Sequence, residues 1–143
     1  METTTAKLTN ILKSPNEITS ILQENEDSIS SPTLQEYLGD LLSLKEMRRR
    51  DVIKRAELDG NYINQLFSGI KTKPGRNQVL SLAFGFGLNL EETDRLLKVA
   101  GVGELYPKNK RDAVILHSLE NGKTVWGANE MLSSLGLETL SGG

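Results

Sequence analysis

Apolar residues along this chain recur at intervals of three and four, and after Ser31 almost every segment keeps that helical period. Thr33 followed by Glu36 offers a capping box ahead of Tyr37, Leu38, Leu41 and Leu42, which predicts a first helix ending near Met47. Val52, Ile53 and Ala56 predict a short second helix, entered through Arg48-Arg49-Arg50 and stopping near Leu58. Asp59-Gly60-Asn61 is turn and N-cap chemistry. Beyond it Ile63, Leu66 and Phe67 predict a very short third helix, with Gly69 where a helix commonly ends. After Lys73-Pro74-Gly75 a fourth helix carries Val79, Leu80, Leu82, Ala83 and Phe86 up to Gly87. Asn89 with Glu92 opens a fifth, through Leu96, Leu97 and Ala100 to Gly101. Two further helices are predicted over 108–121 and 124–135, ahead of Gly122 and Gly136. No strand-like alternation of useful length is present, so the expected fold class is all-α.

The residues before that series read differently. Two short apolar clusters (Leu8, Ile11, Leu12 and Ile18, Ile21, Leu22) are split by Ser14-Pro15 and run into the polar stretch 25–31. An N-terminal arm over 1–31 carrying short helices is expected, followed by a five-helix domain over 32–101 and a C-terminal helical extension over 102–143 packed on it.

Charge divides the chain in another way. The net charge is -2, but residues 1–44 hold two basic and seven acidic side chains, 45–76 hold nine basic and four acidic, and the remainder six and eight. The middle segment is where a polyanion would bind, although a solvated, charge-laced helix surface looks the same on charge alone. With no cysteine and one histidine, disulfides, thiolate metal sites and multi-histidine zinc clusters are excluded, and no metal or cofactor is expected. No apolar run approaches the ~20 residues needed to cross a bilayer and the start lacks a secretory pattern, so no membrane association and a cytoplasmic location are expected.

The second and third predicted helices carry the functional signal. A helix about 10 to 12 Å across fits the DNA major groove while a preceding helix braces it. In the third helix Ile63, Leu66 and Phe67 can face a core while Asn61, Tyr62, Asn64, Gln65 and Ser68 face outward. Asn and Gln amides pair bidentately with adenine. Tyr62 reads equally as a stacking or phosphate-bonding group and as a half-buried packing residue. Arg49 and Arg50 flank the brace helix, Lys71, Lys73 and Arg76 follow the reading helix, and with Ser68 they occupy phosphate-clamp positions.

The run Ile63-Asn64-Gln65-Leu66-Phe67-Ser68-Gly69-Ile70-Lys71-Thr72-Lys73-Pro74, with the downstream Gly85-Phe86-Gly87-Leu88-Asn89-Leu90-Glu91-Glu92, resembles the Xre/Cro, lambda-repressor-like helix-turn-helix family. The resemblance covers roughly residues 34–101. It implies a five-helix domain whose third helix reads DNA bases through the slots of Asn61, Tyr62, Asn64 and Gln65, with Arg49 in a phosphate-binding slot. Glu57 stands where that family's turn usually has glycine, and a left-handed glutamate costs about 1 kcal/mol, so the turn is expected to shift toward Gly60. Phe67 replaces a frequent glutamate, which implies a more apolar contact beneath the reading helix.

The function expected is sequence-specific DNA-binding transcriptional regulation. The alternative is an antitoxin-like or adaptor protein that uses the same scaffold to grip another protein. A homodimer on double-stranded DNA is expected, because a twofold protein gains a second half-site about 34 Å away. Val125 and Trp126 on the last helix are the interface candidates, Trp126 being equally readable as core. Other chemistry is thin: no catalytic site is expected. His117 near Asp112 and Glu120 only sketches an acid–base pair, and Gly101-Val102-Gly103 follows a helix rather than a strand.

Overall fold

Five of the seven described helices begin at a side chain that answers a free N–H group of the first turn. The computed structural model describes residues 32–141, and the expected arm over 1–31 lies outside them. Among the described residues there are seven helices and no strand: α1 Leu34–Lys45, α2 Arg49–Ala56, α3 Gly60–Phe67, α4 Arg76–Phe86, α5 Leu90–Val99, α6 Lys110–Glu120 and α7 Val125–Ser134. The Thr33 hydroxyl accepts from Glu36 N at 3.1 Å while the Glu36 carboxylate accepts from Thr33 N at 3.0 Å, and Asn89 with Glu92 repeats the arrangement at α5. Asp59, Asn109 and Thr124 cap α3, α6 and α7. None of these elements is long and apolar enough to cross a membrane.

The turn between α2 and α3 differs from expectation. It does not shift toward Gly60, which is the first residue of α3; Glu57 itself takes the left-handed conformation, at φ 56° and ψ 42°. Its N–H donates to the carbonyls of Ile53 and Lys54 at 3.1 and 3.2 Å, so the end of α2 is satisfied there. Val52 and Ala56 on α2 and Ile63 and Leu66 on α3 are buried without residual exposure, and seating both faces outweighs a backbone cost of about 1 kcal/mol.

α4 forms the centre. Every residue from Val79 to Phe86 is buried, and α2, α5 and α7 pack around it. Where α2 crosses α4, a Cβ on Gly85 would lie 2.7 Å from the Val52 carbonyl oxygen and 3.0 Å from Ala56 Cβ, so the crossing distance requires glycine. Leu105, Ile115, Val125, Ala128, Leu132 and Leu140 join the same core, which carries α6, α7 and the tail onto the first five helices. Arg111 fastens that tail: Nη2 donates to Asn77 Oδ1 at 2.8 Å and to the Thr139 carbonyl at 3.1 Å, and Nε donates to the Glu138 carbonyl at 2.7 Å.

Candidate nucleic-acid interface

α2 and α3 are short helices joined by the three residues Glu57, Leu58 and Asp59. On α3, Ile63, Leu66 and Phe67 are buried, whereas Asn61, Asn64 and Ser68 are exposed and Gln65 is half-buried. Positions 61, 64, 65 and 68 follow helical spacing and make one polar stripe opposite the buried residues. The Ser68 hydroxyl donates to the Asn64 carbonyl. Beyond the helix, Gly69 takes φ 83° and the Gln65 carbonyl accepts from Ile70 N and Lys71 N at 2.9 and 3.1 Å. That closure fixes the direction in which the chain leaves α3.

Arg49, at the start of α2, lies over the Phe67 ring at 5.1 Å from its centroid, and its Nη1 reaches Asn64 Oδ1 at 3.5 Å, the outer limit of a hydrogen bond. Phe67 in turn packs beneath, tilted against Phe86 with ring centroids 6.4 Å apart. The apolar contact expected under α3 is therefore present, and it seats a guanidinium beside the polar stripe. Arg49, Arg50, Lys71 and Lys73 are exposed and have no ion-pair partner among the described residues.

Two of the expected contact residues are occupied elsewhere. Tyr62 is half-buried, its hydroxyl donates to Gln78 Oε1 at 3.0 Å, and burial raises its pKa. The same Gln78 oxygen accepts from Gly75 N at 2.8 Å, so Gln78, which spacing alone did not single out, joins α3 and the 71–75 loop to α4. Arg76 is not a free phosphate-clamp residue. Its Nε donates to the Gly103 carbonyl at 2.8 Å and its Nη2 to the Glu104 carbonyl at 3.0 Å. Nη1 and Nη2 also engage the two Asp112 oxygens, at 3.0 and 2.9 Å, in a bidentate pair. The reason is placement: as the first residue of α4, Arg76 points at the α5–α6 connection, where carbonyls and a carboxylate converge.

Asp112 is 8% exposed at its side chain and also accepts from Tyr106 N at 2.9 Å. Burial works against its charged form, but Arg76, the Tyr106 amide and the Arg111 charge outweigh it and hold the carboxyl below its ordinary range. This commitment also removes Asp112 from His117, which is exposed and whose ring contacts Asn121 at 3.3 Å. Among the described residues no group of three or more His, Asp or Glu is placed to hold a metal ion.

The interface candidates on α7 separate. Val125 is 3% exposed within the chain's own core and is not an interface residue, because its side chain faces the packed α4–α6 body. Trp126 next to it is 65% exposed, which rules out the core role. Comparison of the chain with protein-family models, curated proteins and solved structures yields no match.

Proposed function

We propose that this chain is a sequence-specific DNA-binding transcriptional regulator of the Xre/Cro type, in which α2 and α3 form the helix-turn-helix. One observation carries the reading: α3 buries Ile63, Leu66 and Phe67 and turns the polar stripe of Asn61, Asn64 and Gln65 outward, with the exposed cations Arg49 and Arg50 at the start of α2 and Lys71 and Lys73 in the loop that follows α3. Amides at that spacing read base edges, and cations at the margins neutralise the two phosphate backbones. Arg49, stacked on Phe67, stands beside Asn64 at the edge of hydrogen-bond range. Tyr62 and Gln78 act from behind, fixing α3 and the 71–75 loop to α4, while Arg76 ties α4 to the α5–α6 connection.

Selection of bound duplexes from a random library tests the reading. A recovered motif, with binding that weakens steeply between low and moderate salt, supports it; recovery of no motif and no salt-dependent binding removes it. A specific observation also favours a protein-binding role. Trp126 stands exposed on α7, away from the α4-facing side, and large exposed aromatics are frequent anchors of protein contacts. That role fits a homodimer that places two α3 helices one DNA turn apart, or the adaptor reading if DNA binding fails.

A further inference from the structure

The loop between α5 and α6 carries Tyr106, Pro107, Lys108 and Asn109, and Lys110 opens α6; these residues belong to neither the five-helix DNA-binding proposal nor the core. Tyr106 is 59% exposed, and Lys108 and Lys110 are exposed with no ion-pair partner among the described residues. An exposed phenol followed by two unpaired cations suits an anionic backbone, since the ring covers sugar, the hydroxyl donates to phosphate and the ammonium groups neutralise it.

The loop is held in place. Leu105 N donates to Asp94 Oδ1 at 3.0 Å, Tyr106 N to Asp112 Oδ2 at 2.9 Å, and Asn109 N to the Tyr106 carbonyl at 2.9 Å. The carboxylate of Glu104, the acidic group nearest in sequence, is turned toward Lys98 at 3.6 Å. Arg76, whose guanidinium grips the carbonyls of Gly103 and Glu104, directly follows the 71–75 loop. Three residues at no more than ~3.6 Å each put Lys73 within about 11 Å of Arg76 along the chain. The 71–75 loop, with Lys71 and Lys73, therefore runs directly into a residue whose side chain is bonded to the backbone of the loop carrying Tyr106 and Lys108.

We infer that the α5–α6 loop is a second phosphate-contacting surface, which grips the duplex flanking the segment read by α3. The inference rests on the DNA-binding proposal above and extends it to a part of the chain outside the five helices. It means that the C-terminal extension lengthens the footprint on DNA.

The test uses the full chain and two duplexes carrying the selected site: one trimmed to the recovered motif, one extended on each side by about ten base pairs, a helical turn. The parent is expected to bind the longer duplex several-fold more tightly, with a salt slope steeper by about two units for two added phosphate contacts. The Lys108→Ala/Lys110→Ala double variant should bind the trimmed duplex like the parent and lose that gain, and Tyr106→Ala should lose part of it. A parent that gains nothing from the flanks, or a double variant that keeps the gain, overturns the inference while leaving the α3 reading standing. Equal losses on both duplexes overturn it as well, by placing the lysines within the half-site. A parent that binds neither duplex removes both proposals together.

Discussion

Arg49 and Arg76 come from the same basic stretch and lie at the first residues of α2 and α4, yet they belong to two different kinds of region. Around Arg49 is an exposed face, where one guanidinium rests on an aromatic ring, and the exposed Arg50, Lys71 and Lys73 find no carboxylate among the described residues. Around Arg76 is a seam, where Asp112 and two carbonyls close on the guanidinium, and Arg111 beside Asp112 likewise engages Asn77 and two carbonyls of the tail. Charge of the same sign thus does two jobs. In the seam it orders α4, α6 and the tail into one body; on the face it stays available to a ligand. What separates the two is whether carbonyls and a carboxylate come within reach in the folded chain.

The sharpest way to break this contrast is to remove the seam. Arg76→Ala leaves Asp112 nearly buried and unpaired and should cost about 3 kcal/mol in urea unfolding. Asp112→Asn should cost somewhat less, because an amide still accepts from Tyr106 N. Asp112 has a depressed pKa when folded, so its contribution is complete above the unfolded value of about 4 and disappears as pH falls through the folded value. Stability of the parent should therefore fall more steeply below about pH 4 than that of Asp112→Asn. Parallel acid profiles of the two proteins would mean that the pair does not hold the seam.

A second substitution sharpens the comparison from the packing side. Gly85→Ala drives a methyl into the Val52 carbonyl and Ala56 where α2 crosses α4. Overpacking of this kind costs about 1 to 3 kcal/mol, against about 1 kcal/mol gained in helix propensity, and the net expected in thermal unfolding is a loss of up to about 2 kcal/mol. Because α2 carries Arg49, the displacement should also weaken binding to the selected duplex more than the stability change alone explains. A stabilised variant would show that the crossing has slack.

On the exposed face the third effect is one of specificity. Gln65→Ala, or Asn64→Ala, should cost about 1.5 kcal/mol on the selected site and relax preference at one base pair, leaving affinity for random duplex unchanged. Stability by circular dichroism should hold, since both side chains lie on the solvent side of α3. Equal weakening on both kinds of duplex would assign these amides to the backbone instead of the bases.

These expectations also mark where sequence reasoning carries and where it stops. Caps are local, so Thr33 with Glu36 and Asn89 with Glu92 announce α1 and α5 from within a single turn. The α3 stripe is equally legible, because burial of Ile63, Leu66 and Phe67 determines by spacing which positions face out. Arg76 was not legible, since its carboxylate partner stands 36 residues away. Nor was Glu57, whose unfavourable backbone is decided by how two helix faces seat in the core. Val125 and Trp126 are adjacent and both apolar, but successive residues of a helix point about 100° apart. One is buried and the other exposed, and only the packed neighbours say which.

The smallest effect is the most pointed test of the exposed face, because it asks Arg49 to matter for binding and hardly at all for folding. Arg49 is exposed, its contact to Asn64 is long, and its position over Phe67 is worth about 0.5 to 1 kcal/mol at most in water. Arg49→Ala should therefore change unfolding by no more than about 1 kcal/mol, in contrast to Arg76→Ala. If Arg49 neutralises one phosphate, the same substitution should lower the salt slope by about one unit and weaken selected and random duplexes by the same few-fold factor. Arg49→Lys separates the two contributions. A lysine keeps the charge and hence the slope, but lacks the planar group that stacks on Phe67 and reaches Asn64, so it should lose part of the preference for the selected duplex. A variant that destabilises the fold as strongly as Arg76→Ala while leaving the salt slope untouched would move Arg49 from the face into the seam.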